Sequence, residues 1–317
     1  MIYDIRQTTT YAYASKVAYA HHVLHLTPIN RNGQRVHAVA LEISPVPVER
    51  REGTDFFGNH VTWIGLEEQH DRLSIKVAAR VAVEAPLAQL PLATPAWEEV
   101  RAAVMMTSDV GPSSPAHFLF PSRQVALDRE ITNYVRDSFP AGHPIFEGAV
   151  DLMQRIKADF VYEVGATDVA TRPSTAFKLR RGVCQDFAHV MISGLRGIGL
   201  PAAYVSGYLR TVPKEGQPRL AGADAMHAWV MVWCGQHAGW CGFDPTNAIL
   251  VGEDHVFLAY GRDYADVAPI AGVVFASGGQ RLEVAVDVIP VAAAPARQTN
   301  LASEQPFSGV IVRESGQ

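Results

Sequence analysis

Over roughly the first 84 residues, apolar and polar positions alternate in short runs broken by turn-forming residues. The runs 3–13, 36–43, 60–66 and 73–83 are β-prone, and a period of two puts one face of each in a core and the other in water. Between them lie Pro28-Ile29-Asn30-Arg31-Asn32-Gly33, Pro45-Val46-Pro47 and Asp55-Phe56-Phe57-Gly58-Asn59, which end strand pairing or tolerate positive φ. Residues 1–85 therefore read as a β-rich domain, most simply a sandwich.

The pattern then changes. Pro86, Pro91, Pro95, Pro115, Pro121 and Pro140 make residues 86–143 a connector, with helical spacing over 97–106 and 125–139. From Ile145 to Phe160 the apolar positions Ile145, Ala149, Leu152, Met153, Ile156 and Phe160 recur with helical period. A second helix over 184–196 stops at Gly197 and Gly199, and Pro201 leads into a strand over 202–209. The segments 226–234 and 239–244 are apolar on both faces and read as a buried hairpin, and strands near 272–277 and 281–289 are expected to extend the same sheet. Residues 144–290 thus form an α+β core, with 291–317 a loosely held tail.

Composition removes several function classes. The 317 residues carry 27 Lys+Arg against 32 Asp+Glu, a formal charge of −5, which gives no electrostatic reason to expect nucleic acid or an anionic membrane as partner. Three cysteines, an odd number in a chain this long, do not make a disulfide framework. The start Met1-Ile2-Tyr3-Asp4-Ile5-Arg6 lacks the basic and then apolar pattern of a signal peptide, and no apolar run reaches the ~20 residues that span a bilayer. The expectation is a cytoplasmic protein.

Candidate chemistry centres on Arg180-Arg181-Gly182-Val183-Cys184-Gln185-Asp186, where a glycine turn delivers Cys184 to the first turn of a helix. Unpaired amides, the helix dipole and the two arginines all favour a thiolate there. A thiolate nucleophile needs an imidazole beside it and a third group to hold that imidazole, and His227 and Asp244 lie on the two arms of the expected hairpin. A two-residue turn at Gly235-Gln236 sets His227 opposite Asp244, whereas a four-residue turn pairing Cys234 with Gly239 leaves them diagonal. Either register keeps them on one face. Taken singly, each has a plain structural reading: Cys184 as a small core hydrophobe, His227 as a packed histidine and Asp244 as a turn cap.

Taken together, these residues carry a family resemblance. Gly182-Val183-Cys184-Gln185-Asp186-Phe187-Ala188-His189, the stretch from Gly199 to Tyr208, His227-Ala228-Trp229-Val230 and Phe243-Asp244-Pro245-Thr246-Asn247 resemble, in order and approximate spacing, the core of the bacterial transglutaminase-like superfamily of papain-like thiol enzymes. Tyr11-Ala12-Tyr13, Leu24-His25-Leu26-Thr27-Pro28, Gln34 and Asp55 to Asn59 resemble the β-rich domain that accompanies this core in bacteria. The resemblance implies Cys184 as nucleophile, His227 as acid/base and Asp244 as its orienter. The reaction it implies is acyl transfer from a glutamine side-chain or peptide amide to an amine or to water. A cysteine peptidase or amidase would use the same triad, and a non-catalytic peptide- or protein-binding module is the reading from another class. No cofactor is implied, and no acidic loop of the Asp-x-Asp-x-Asp type suggests calcium. Oxyanion donors are the Cys184 amide with Gln185, Tyr162 or Trp229 as candidate partners. Asp186 and His189 read as helix-start and packing residues. Cys234-x2-His237-x3-Cys241 has three metal-type ligands but an unfamiliar spacing and no fourth.

Overall fold

A computed structural model describes residues 1–84, 93–211 and 224–291. The chain opens with β1 (Ile2–Val17), β2 (Tyr19–Leu24), β3 (Gln34–Ser44), β4 (Glu49–Thr54), β5 (His60–Leu66) and β6 (His70–Val83). Helices α1 (Trp97–Met105), α2 (Arg129–Arg136) and α3 (Ile145–Asp159) follow, then β7 (Val161–Tyr162), α4 (Pro173–Leu179), β8 (Arg181–Gly182) and α5 (Cys184–Gly197). Next come β9 (Ala202–Leu209), β10 (Ala225–Trp233), β11 (Trp240–Asp244), β12 (Ile249–Leu250) and β13 (His255–Gly261). The described chain ends with α6 (Tyr264–Val267), β14 (Ile270–Phe275) and β15 (Gln280–Pro290).

The amino-terminal strands build two four-stranded antiparallel sheets, ordered β15-β1-β6-β3 and β14-β2-β5-β4. The last two strands therefore close this sandwich and do not extend the core sheet as the sequence suggested. Their alternation was legible, but alternation does not name a partner. The long edge of β1 does, since it pairs with β15 from Tyr3↔Pro290 to Tyr13↔Gln280 and would otherwise stand open. The sequence also hid β2 and β4, because β4 (Glu-Arg-Arg-Glu-Gly-Thr) has no apolar alternation. Helix α2 starts later than 125, at Arg129, because the Asp128 carboxylate accepts from the amides of Glu130 (2.8 Å) and Ile131 (3.1 Å) and so caps the helix there.

One face of β6 serves two interiors. Leu73, Ile75 and Val77 fill the space between the two sheets with Ala20, Leu24, Ile64 and Leu66. The continuation of the same face, Ala79, Val81 and Val83, packs with Tyr3, Ile5, Val286 and Val288 against Tyr208, Val256 and Leu258 of the second domain. Full burial of one such side chain is worth roughly 1.5–3 kcal/mol, so this shared cluster joins the two domains firmly.

The core sheet is ordered β12-β11-β10-β9-β13, which leaves β13 at an edge with unpaired backbone groups. Two carboxamides from the sandwich take them. Gln34 Oε1 accepts from the Phe257 amide (2.7 Å) while its Nε2 donates to the Phe257 carbonyl (2.8 Å). Asn59 Oδ1 accepts from the Tyr260 amide (2.9 Å) and its Nδ2 donates to the Tyr260 carbonyl (2.7 Å). Each carboxamide thus acts as one residue of an added strand, and the Asp55 to Asn59 turn has a place at the domain junction.

Helix α5 lies on the core sheet, with Val190, Ile192 and Leu195 buried in one cluster with Val230 and Val232. On its other side it meets α2 so closely that a Cβ at Gly194 or Gly197 would sit 2.1 Å from Val135 Cγ2 or Thr132 Oγ1. Buried Arg196 donates to the carbonyls of Phe120 (3.1 Å), Ala202 (2.8 Å) and Arg262 (2.6 Å), tying the connector to the end of α5. Among the described residues no helix is long and apolar enough to cross a membrane.

Candidate active site

The start of α5 is shaped by the residues around Cys184. Arg180 ends α4 with φ +53°, and β8 then pairs in parallel with β7. Asp186 reaches back over the turn, where its Oδ2 accepts from the Val183 amide (2.8 Å) and from Thr167 Oγ1–H (2.6 Å). Burial raises its pKa above the ordinary carboxyl value, opposed by those two donors. A Cβ at position 182 would come within 2.5 Å of that carboxylate, so only glycine fits there. Val183 offers no acceptor side chain, and the first-turn amides have no side-chain cap. Cys184 stands partly exposed at this uncapped helix end, where the dipole favours negative charge. The two arginines expected to assist are engaged elsewhere: Arg180 stacks 3.9 Å over Phe177, and Arg181 pairs with Glu163 at 3.0 Å.

The hairpin takes the four-residue turn, with the Cys234 amide donating to the Gly239 carbonyl at 2.8 Å. Val230 pairs with Phe243, which sets Asp244 across from Trp229 and diagonal to His227 on the same face. His227 Nε2 and Asp244 Oδ2 are 2.8 Å apart. This leaves Nδ1 as the other ring nitrogen, and Cys184 is close enough to His227 to bear on its charge. Burial opposes charge on this imidazole, yet the bond to Asp244 and the neighbouring Cys184 outweigh it and raise its pKa to about 10.

Asp244 is fully buried and stays ionised because donors surround it. Its Oδ1 accepts from the amides of Thr246 (2.9 Å) and Asn247 (3.2 Å), and its Oδ2 from Asn247 Nδ2 (2.7 Å) as well as from His227. Burial works against the charge, but these bonds and a second histidine, His255, hold the pKa well below the usual carboxylate range. His255 Nδ1 accepts from the Gly252 amide (3.3 Å), so its Nε2–H is the donor that faces Asp244 Oδ2 at 3.4 Å. Reasoning from sequence missed His255 and the strand that bears it. The signal was present in the apolar run His255-Val256-Phe257-Leu258-Ala259 between Gly252 and Gly261, but nothing in the spacing tied that strand to Asp244.

The remaining candidates separate. His189 is buried on α5, its Nε2 accepting from the Tyr264 amide (3.2 Å), and burial drives its pKa down to about 4. Gln185 Nε2 is tied to the Val169 carbonyl (3.1 Å), while Tyr162 stands near Cys184, and burial with that neighbouring sulfur raises its phenol pKa. The Cys234 thiol donates to the Val232 carbonyl (3.6 Å) and the Cys241 thiol to the Ala238 carbonyl (3.9 Å), and as neighbours the two sulfurs push Cys234 up and Cys241 down, whereas His237 is exposed in the turn. Three ligand-type atoms do gather within 4.8 Å, but on His227, Asp244 and His255, where the histidines already bond to the carboxylate.

The structure thus sets a helix-borne cysteine on an antiparallel sheet that carries a His–Asp pair, beside a β-sandwich. Residues 3–82 match the bacterial transglutaminase-like N-terminal region, and residues 129–245 match the transglutaminase-like superfamily core. An uncharacterized protein of Mycobacterium tuberculosis (strain ATCC 25618 / H37Rv) is 37% identical over 296 residues, covering 91% of this chain and 92% of its own. One from Mycobacterium leprae (strain TN) is 29% identical over 292 residues, covering 90% and 97%. A crystal structure described as "a Putative Cysteine Protease from Cytophaga hutchinsonii" superposes with a TM-score of 0.70 at 22% identity, covering 93% of each chain, and so shares the fold. The chain belongs to the transglutaminase-like superfamily.

Proposed function

We propose that this protein is a thiol acyltransferase that acts on glutamine side-chain or peptide amides through a thioester on Cys184. The observation that carries this reading is the imidazole of His227, joined through Nε2 to buried Asp244 at 2.8 Å, with Cys184 near enough to influence its charge. With the cysteine proton on the imidazole, the sulfur attacks the amide carbonyl and forms a C–S bond. Developing charge on the carbonyl oxygen meets the uncapped amides at the start of α5. As the C–N bond breaks, His227 returns its proton to the departing ammonia or amine. An acceptor amine then gives its proton to His227 and attacks the thioester, releasing the new amide and restoring the thiol–imidazole pair. Asp244 holds the ring with Nδ1 toward the sulfur and offsets the charge that forms on it.

With water as acceptor the same intermediate gives hydrolysis, the class of reaction named for the Cytophaga hutchinsonii fold neighbour. Incubating the protein with a blocked glutamine peptide, with and without a primary amine, separates the two, with ammonia release and product mass as readouts. Turnover is expected to vanish in Cys184→Ala and His227→Ala while the melting transition is retained. Undiminished turnover in Cys184→Ala would overturn the thioester. A peptide that binds but never turns over would instead favour a binding module.

A further inference from the structure

Open strand edges invite other chains, and two edges of this fold are blunted against them. At β13 two carboxamides from the sandwich occupy free backbone groups. At β4 the outer strand reads Glu49-Arg50-Arg51-Glu52, a row of charges. The edge of β7 is treated differently. In the parallel pairing with β8, the amides of Val161 and Glu163 donate to the carbonyls of Arg180 and Gly182, both at 2.9 Å. Backbone groups alternate sides along a strand, so the amide and carbonyl of Tyr162 face away from β8. Neither meets a partner among the described residues.

No charge guards this edge on β7 itself, and Glu163, the next residue, is drawn back to Arg181 at 3.0 Å. The side chains beside it are apolar and open to water: Val161 is 56% exposed, Tyr162 50% and Val164 79%. Exposed apolar groups gathered along an open edge mark a surface that another chain covers. Its place gives the edge a use. Tyr162 pairs with Gly182, two residues before Cys184, and its ring meets Phe187, one helical turn beyond Cys184, edge-on with centroids 6.4 Å apart. The segment after β7 is fastened to the start of α5, because Gln185 Nε2 donates to the Val169 carbonyl (3.1 Å) and Thr167 Oγ1–H to Asp186 (2.6 Å). The edge is therefore held beside the thiol.

We propose that the backbone of Tyr162 docks the main chain of an extended peptide, which adds a strand to β7 with a glutamine side chain directed at Cys184. In an antiparallel pair, one peptide residue exchanges both hydrogen bonds with Tyr162, and its side chain falls on the face of the Tyr162 ring, toward α5. The residues on either side of it turn to the opposite face, as Val161 does, and apolar side chains suit them there. The choice of glutamine rests on the acyl-transfer reading, whereas the main-chain docking needs no reaction.

Docking is measured on Cys184→Ala protein, so that it does not depend on turnover. The probe is the blocked pentapeptide Ala-Val-Gln-Val-Ala. With ten tyrosines in the chain, 15N-labelled tyrosine gives a readable amide spectrum, and the signal missing from Tyr162→Phe assigns Tyr162. The peptide should move that amide downfield, saturably and further than any other tyrosine amide. Replacing the glutamine N–H of the peptide by an ester oxygen should weaken binding about three- to tenfold, the worth of one neutral hydrogen bond. Tyr162→Pro differs from Tyr162→Ala chiefly in lacking the outward N–H, at an edge where proline is tolerated, so it should bind about three- to tenfold more weakly than Tyr162→Ala and melt at a similar temperature. An unmoved Tyr162 amide, an ester that binds as well as its parent, or equal affinity in the Pro and Ala variants overturns the proposal, as does no saturable response at millimolar peptide. Saturable docking in a protein that never turns over glutamine would uphold the edge and sink acyl transfer instead.

Discussion

Two buried histidines of the same domain, His227 on β10 and His189 on α5, meet the same desolvation and answer it in opposite directions. His227 lies 2.8 Å from a carboxylate that is itself fixed by four further donors, and its pKa rises to about 10. His189 accepts only a backbone amide, and although Asp263 pulls upward, burial wins and the pKa falls to about 4. Burial alone therefore makes a neutral packing residue, whereas burial next to a locked carboxylate makes an imidazole that keeps its proton at neutral pH. Motif membership does not separate the two, because both histidines lie in segments that resemble the superfamily.

The sharpest way to break this contrast is Asp244→Asn, which keeps the shape and removes the charge. If the carboxylate sets the state of His227, acyl transfer should fall by about a thousandfold or more, by analogy with other triads, in steady-state assays against the blocked glutamine peptide. Gly182→Ala attacks the other half of the site: the new Cβ collides with Asp186, so the start of α5 must shift, and Cys184 alkylation should slow even where circular dichroism still reports a folded chain.

The domain junction offers a comparison in stability. Asn59 is fully buried and bonds to both backbone groups of Tyr260. Asn59→Ala leaves an amide and a carbonyl of β13 without partners and should cost about 2–4 kcal/mol in urea unfolding. Arg281→Ala removes an exposed pair with Glu283 and should leave the midpoint unchanged.

Thermal melts against pH test the two histidines separately. His189 and His22, both lowered to about 4 by burial from the ordinary 6.5, contribute stability that is complete above pH 6.5 and is lost as pH falls through 4. His227, raised from 6.5 to about 10, contributes stability that is complete below pH 6.5 and is lost as pH climbs through 10. The melting temperature should therefore peak near pH 6.5. Replacing His189 with Gln should flatten the acid limb between pH 6.5 and 4, and Asp244→Asn should flatten the alkaline limb together with the further loss below pH 4 that its depressed carboxyl pKa contributes. A curve whose two limbs respond equally to both substitutions would contradict the assignment.

How far these regions could be read beforehand follows from the range of the interactions involved. The segment around Cys184 and the hairpin bearing His227 and Asp244 are local or nearly so, and spacing alone put the latter two on one face. The register stayed open because the Gly235 to Ala238 stretch admits two turn lengths, and the structure takes the longer. The return of β14 and β15 to the sandwich, the Gln34 and Asn59 clasps on β13 and the approach of His255 to Asp244 all join residues distant in sequence. No periodicity encodes such pairings. They arise from open strand edges and unpaired backbone groups that become visible only once the sheets exist.

If Cys184, His227 and Asp244 act as one unit, the rate at which iodoacetamide alkylates Cys184 reads their coupling. The rate at pH 6 is read by peptide mass spectrometry in the folded protein, in urea-unfolded protein, and in His227→Ala and Asp244→Asn. Cys184 should react faster folded than unfolded, and the advantage should disappear in His227→Ala and shrink in Asp244→Asn. A rate no higher than in the unfolded chain, or one indifferent to His227, would contradict it.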